Sequence, residues 1–382
     1  MRVASMRTVD WDAAVGKGLA MADRPFYQVL GLKVNPFSLT PLSDPHRLVG
    51  ADPVLSNLLT ILAREGSRNL AIISAVSVRG GGATSVLQSL DTLVTRAKRS
   101  GKADVADFAR KLTLCRVSAR KFLEPEEPEG EAEGLSSWVD TIQSVNPTHV
   151  LVDDCDAVGR HSVLPYINAI LDRLGRPLVF VLAHTPSSQN RFLSDISRVR
   201  HAAEWLRGTV YVPPLSLEEF HKVLRLRTRR VDSWLSRDSI GAVWGRTHGS
   251  IKEALRLAQL CIEEGLATDR FPVSSDVVDL VADRVGDIDM TSTAHRLTEE
   301  QSTVLQSIID LGDHVTADEL AEELGVVRTA AVRMLLRIET KGWLLSLPLG
   351  NRTVYELTSN AKGFLEASII LDQVGNGGAG RT

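Results

Sequence analysis

Cysteine is scarce. Cys115, Cys155 and Cys261 are the three in 382 residues. They lie far apart, without the paired spacing of a zinc or disulfide framework, so buried reduced thiols are expected. Long apolar runs are missing as well. The longest, such as LVFVLA from Leu178 to Ala183, fall far short of the roughly 20 residues a membrane span needs. The first residues, Met1 to Ala4, lead into polar sequence without an apolar signal core, so no membrane partner and a cytoplasmic location are expected. Nor is there a bias of charge. Lys and Arg number 44 against 47 Asp and Glu, a net −3, so attraction to nucleic acid would have to come from a local basic face. What remains, 43% apolar and 24% charged, is the make-up of a globular chain whose length implies two or three domains.

Residues 1–34 read as an arm or partly helical extension. From Asn69 a βα alternation begins. NLAIISAV is a short apolar run that ends in a glycine loop, and Thr84 to Lys98 then carries apolar residues at helical spacing. Further strand-like runs at Leu112 to Val117, His149 to Asp153, Pro177 to Ala183 and Thr209 to Val212 predict a mostly parallel sheet with crossover helices over 35–213. The acidic segment EPEEPEGEAEG, Glu124 to Gly134, has no apolar side chain larger than alanine apart from proline, and is expected to be a solvated loop. After Pro213 and Pro214 the pattern is wholly helical, which predicts an all-helical unit over 214–290. The basic cluster Lys222, Arg225, Arg227, Arg229 and Arg230 on its first helix reads as a solvated face.

One more absence carries chemistry. SVRGGGATS, Ser77 to Ser85, has the frame of a phosphate-binding loop, G-x-x-x-x-G-K-[ST], with Ala83 where the lysine belongs. Such a loop works because successive backbone N–H groups and the following helix N-terminus converge on phosphate oxygens, and glycines let the chain wrap closely. Gly80, Gly81, Gly82 and the hydroxyl of Thr84 keep that part, with Ser85 beside it. The lysine would have reached the β- and γ-phosphates, so its loss weakens triphosphate binding and, more severely, transition-state stabilisation. HVLVDD, His149 to Asp154, is an apolar strand ending in paired acids. Asp153 is placed to hold magnesium, and Asp154 stands where a glutamate normally orients the attacking water.

NPF at Asn35 to Phe37, RLVGADPVLSNLL at Arg47 to Leu59, SVRGGGATSVL, HVLVDDCDAV, and HGSIKEALRLAQ at His248 to Gln259 together resemble the AAA+ ATPases of the origin-recognition and initiator/helicase-loader group. That fold is also close to the STAND-type signalling ATPases. The resemblance spans about Asn35 to Gly265 and continues into a C-terminal winged helix. It implies ATP or ADP with magnesium as cofactors, and AAA+ neighbours or copies of the same chain as partners. It also implies a sensor at His184 or Thr185, a lid cation at Lys252 in place of arginine, and a finger at Arg198 or Arg200 reaching a neighbour's nucleotide. The departures, Ser77, Ala83, Asp154 and Lys252, all point to slow or absent turnover. An engineered lysine-to-alanine change in a working enzyme remains the alternative origin of Ala83.

The stretch from Leu297 to Thr358 strongly resembles a winged helix-turn-helix, expected over 291–368 and followed by a flexible tail over 369–382. Between Thr291 and Glu366 stand 7 Arg or Lys and 11 Asp or Glu, so the unit is acidic overall. From Gly325 to Tyr355, however, the bases Arg328, Arg333, Arg337, Lys341 and Arg352 meet one acid, Glu339. Arg333 and Arg337, four apart, share a helix side, and Arg328 and Thr329 stand near its start, where a recognition helix meets bases. Arg352 is expected at a wing tip, suited to a phosphate. Val332, Leu335, Leu336 and Ile338 are expected to face the core. The fold class expected is α/β, a P-loop AAA+ sheet with a helical lid and a C-terminal winged helix. The expected function is a DNA-binding platform or switch on duplex DNA with impaired hydrolysis. The alternatives are a DNA-associated loader or remodeller seen as a disabled mutant, and a scaffold using the winged helix for protein contacts.

Overall fold

The computed structural model describes residues 25–377 apart from 66–68, 123–127, 159–161, 200–201, 248, 286–297, 313, 341–342 and 350–351. Five parallel strands run in the order β2-β3-β4-β1-β5: β1 Ala71–Ser77, β2 Leu114–Ser118, β3 His149–Asp153, β4 Val179–His184 and β5 Leu206–Val212. Every residue of β1, β3 and β4 is buried. That is why these strands read as continuous apolar runs and not as alternating ones. One face of the sheet packs α1 Asp52–Arg64 and α2 Ala83–Ala97 through Leu58, Leu62, Leu87 and Leu90 against Ile73 and Val181. The other face packs α4 Pro128–Val145, α5 Leu164–Leu174 and α6 Pro186–Arg198 through Trp138, Ile167 and Phe192 against Ile72 and Phe180. A shorter helix, α3 Ala103–Arg110, links α2 to β2. This is the mostly parallel sheet with crossover helices expected from the strand pattern.

A helical lid follows: α7 Leu217–Arg227, α8 Arg237–Arg246, α9 Ile251–Thr268 and α10 Ser275–Val285. Its core, built on Phe220, Leu224, Val243, Leu257 and Val278, also takes in Phe26 and Phe37 from the N-terminal segment. The solvated basic face expected here is seen for Lys222, Arg225, Arg229 and Arg230, which are exposed, while Arg227 is half-buried. Arg227 donates through Nη1 to the carbonyls of Pro36 (3.2 Å) and Ser38 (2.8 Å), and Arg230 to that of Leu30 (3.2 Å), while Arg225 pairs with Asp232 at 2.9 Å. Arg227 and Arg230 thus tie the incoming chain to the lid.

The C-terminal unit consists of α11 Glu299–Asp310, β6 His314–Thr316, α12 Ala317–Leu324, α13 Arg328–Glu339, β7 Leu344–Leu349, β8 Arg352–Leu357 and α14 Ser359–Gly377. Its three strands are antiparallel in the order β6-β8-β7. Thr298 with Gln301, and Thr316 with Glu319, form reciprocal capping boxes, and Gly325 closes α12 at φ 64°. Leu305, Leu320, Leu335 and Trp343 fill the core, with Val332 partly buried beside them. Leu336, expected inside, is 45% exposed, because it lies one residue round the helix from the Ala331, Leu335 and Ile338 stripe.

Two segments expected to be irregular are helical. From Pro128 onward the acidic segment belongs to α4. Proline fits the first helical position, and glutamates favour the positive helix end, so no apolar face is needed to start the helix. The expected tail is helical up to Gly377. No described helix is long and apolar enough to cross a membrane.

Candidate functional site

The carboxyl ends of β1, β3 and β4 meet the lid around a cavity of about 420 Å³, the place where open parallel sheets hold ligands. Its floor is the glycine loop. Gly81 N–H donates to the Val78 carbonyl (2.8 Å), and Gly80 and Gly82 take φ of 73° and 106°. A side chain is excluded at Gly80 on steric grounds too: a Cβ there would stand 2.7 Å from Ser250 Oγ and 2.9 Å from Lys252 Cβ. Gly82 caps α2, whose first residues are Ala83, Thr84 and Ser85, so the loop delivers its amides to a helix N-terminus. Ser85 faces elsewhere: its Oγ accepts from Leu42 N–H at 3.1 Å.

Thr84 Oγ1 donates to Asp153 Oδ1 (3.0 Å), which also accepts from Asp154 N–H (3.0 Å). Burial first, and then the neighbouring Asp154, raises the Asp153 pKa, with the two hydrogen bonds opposing. A buried carboxylate beside a hydroxyl at the glycine loop has the donor chemistry for a divalent cation. Among the described residues no cluster of three or more His, Cys, Asp or Glu could hold a metal alone. Asp154 takes a left-handed φ of 55° and is tied down on both sides. It accepts from Ser118 Oγ at 2.9 Å and pairs with Arg120 Nε at 3.3 Å.

His184, at the end of β4, is 2% exposed and shares a hydrogen bond with Ser188 through Nδ1 (3.0 Å). Burial, and secondarily Arg191, depresses its pKa to about 3, so it is neutral at physiological pH. Its Nε2 is buried without a hydrogen-bond partner among the described residues, and the residue lines the cavity. An orphaned polar atom at a cavity wall fits a ligand group. Thr185 caps α6 through Ser188 N–H.

Above the loop, Lys252 N–H donates to the Gly80 carbonyl (3.2 Å), and its side chain lies over Gly80. No acid pairs with Lys252 among the described residues. Arg79, Arg120, Arg246 and Arg256 also line the cavity, each with an acid: Asp156 (3.7 Å), Asp154 (3.3 Å), Asp279 (2.7 Å) and Glu253 (3.6 Å). Arg120, Arg246 and Arg256 were not marked by any motif. They converge from the segment just after β2, from the end of α8 and from α9, and only the fold brings them together. Arg198 is not at this cavity. Its side chain is 76% exposed and pairs with Asp195 at 3.7 Å. Arg200 lies outside the described residues.

On the C-terminal unit, Thr329, Arg333 and Arg337 are exposed along α13. Arg328 pairs with Asp318 at 2.9 Å. Arg352 is exposed at the start of β8, yet it lines a cleft with Arg191 of α6, Gly312 and Glu319 at the junction with the sheet domain. Its register opposite Leu349 puts it at the tip of the β7–β8 hairpin. Lys341 and the turn at 350–351 lie outside the described residues.

No family model matches this chain, and no curated protein matches it. Solved structures do. The Aeropyrum pernix ORC2 protein, solved as ADPNP-ADP complexes, is 14% identical with a TM-score of 0.47, over 89% of this chain and 98% of that one. Cdc6p from Pyrobaculum aerophilum is 14% identical with a TM-score of 0.47, over 90% and 99%. The Thermotoga maritima RuvB Holliday junction branch migration motor is 14% identical with a TM-score of 0.43, over 86% and 99%.

Proposed function

We propose that this chain is a nucleotide-binding AAA+ protein of DNA, in which hydrolysis is impaired or absent and nucleotide occupancy sets the placement of a C-terminal winged helix. The observation that carries the reading is the phosphate loop. Its amide cradle and the Thr84–Asp153 pair are intact, while Ala83 removes the charge that stabilises the transferring phosphate. ATP or ADP would lie on the amides of Gly80 to Thr84. Magnesium, where bound, would be held by Thr84 and Asp153, and it would supply neutralisation of the β- and γ-phosphate charge. Lys252 supplies a cation over the loop, though as a point charge without the planar fork of arginine. Asp154 is held by Arg120 and Ser118 and so is poorly disposed to orient water.

The C-terminal unit supports contact with duplex DNA through Arg333, Arg337 and Thr329 on α13, as a winged helix would make it. Protein contacts are the second reading, favoured by the Arg328–Asp318 pair, which removes one cation from the basic set. Self-association, or assembly with AAA+ neighbours, fits a fold of this kind. Titration of the full chain with ADP and with a non-hydrolysable ATP analogue tests the nucleotide reading. Steady hydrolysis by an Ala83→Lys variant with magnesium would sink the platform reading in favour of a disabled loader or remodeller.

A further inference from the structure

The phosphate loop is already engaged by an anion of the chain's own. Arg79 N–H, within the loop, donates to Glu366 Oε2 at 3.0 Å, and Glu366 is 3% exposed. Glu366 belongs to α14, 287 residues away along the chain. Two stripes run along that helix. Ala361, Leu365 and Ile369 pack into the core of the C-terminal unit. Ala367 and Ile370 form a separate small core with Val78 of the loop and Tyr211 of β5, and Gly363 lines the cavity itself. The helix thus bridges the loop and the core of its own unit.

Loop amides at such a site are anion donors, and a buried carboxylate needs donors of this kind to offset its lost hydration. Resting on the nucleotide reading above, we propose that Glu366 is a specificity residue. Its carboxylate holds part of the loop's anion-binding capacity and repels the terminal phosphate, so that the docked helix admits a diphosphate and a triphosphate must displace α14. Nucleotide identity would then be read out as the position of the whole C-terminal unit, because the same helix carries its core stripe. The absence of a loop lysine sharpens the effect, since no cation at position 83 screens the carboxylate from the phosphate.

The test uses the full-length chain and a Glu366→Gln variant. Glutamine keeps an acceptor for Arg79 N–H and removes the charge, so a merely structural contact would leave nucleotide preference unmoved. Calorimetric titration with ADP and with a non-hydrolysable ATP analogue is expected to show the analogue binding at least about 10-fold tighter to the variant, with ADP affinity changed by less than about 3-fold. In the unmodified chain, amide exchange over 359–377 is expected to speed up on saturation with the analogue and not with ADP; should the variant fail to fold, this measurement decides alone. An unchanged preference, or unchanged exchange with the analogue bound, overturns the role of Glu366 and leaves nucleotide binding standing. Absence of binding by either nucleotide to either chain overturns both.

Discussion

At the scale of single residues, the site is defined by what burial does to charge. His184 is held neutral by its surroundings, with a pKa near 3. An unfolded histidine binds its proton near 6.5. Below about pH 6.5 the unfolded chain therefore takes up a proton that folded His184 refuses, and stability falls as pH drops toward 3, by at most about 1.4 kcal/mol per pH unit for this group. A His184→Gln variant is expected to lose less stability than the parent between pH 6.5 and 5, measured as the shift of the urea midpoint. Asp153 works in the opposite sense. Its raised pKa, caused first by burial, means the folded state resists its ionisation. Asp153→Asn is therefore expected to raise the stability of the nucleotide-free protein by about 0.5–2 kcal/mol while weakening magnesium-dependent nucleotide binding. Thermal denaturation with and without magnesium and ADP checks both parts. Restoring lysine with Ala83→Lys is expected to tighten triphosphate binding, yet to leave hydrolysis near background, because Asp154 is committed to Arg120 and Ser118; a phosphate-release assay decides.

At the scale of elements, the glycine loop shows how little freedom the cradle has. Gly82 sits at φ 106° and opens α2, a conformation that costs an ordinary residue about 1–2 kcal/mol. Gly82→Ala is expected to lower stability by about that much and ADP affinity by at least about 10-fold, read by denaturant titration and calorimetry on the same preparation. The loop and its strand were legible in the sequence, because β1, β3 and β4 are buried on both faces and their apolar runs end at residues with obvious chemistry. Other elements were not. α14 has two apolar stripes facing two different partners, so it lacks the single amphipathic face that periodicity detects, and its glycine-rich end reads as a flexible tail. The start of α4 is built from glutamate, alanine and a leading proline, which need no buried face. Arg227 looked like one of several surface cations, and its carbonyl partners at Pro36 and Ser38 are some 190 residues away. The partners of Asp154 were hidden for the same reason: Arg120 and Ser118 belong to a neighbouring strand and its exit, and sequence spacing carries no sign of them.

At the scale of the whole molecule, the C-terminal unit makes direct contacts with the sheet domain. Asn190 of α6 donates to Asp310 (2.7 Å), Arg191 donates to the Gly312 carbonyl (3.3 Å), and α14 reaches the loop. A ligand that moves α14 would therefore move the face carrying Arg333 and Arg337. If those two arginines neutralise duplex phosphates, reversing both to glutamate is expected to cut duplex affinity by at least about 10-fold and to flatten the salt dependence by nearly two charges. Fluorescence anisotropy over a salt series measures this, and an unchanged slope would favour protein contacts instead. The most direct test of the central claim, that a lysine-free amide cradle still holds nucleotide and governs the distant unit, is one titration series. Duplex DNA is titrated into the full-length chain without nucleotide, with saturating ADP, and with a saturating non-hydrolysable ATP analogue. The expected result is nucleotide binding together with a duplex affinity that differs at least about 5-fold between the ADP and analogue states. Equal duplex affinities in all three conditions, or no nucleotide bound at all, would contradict it.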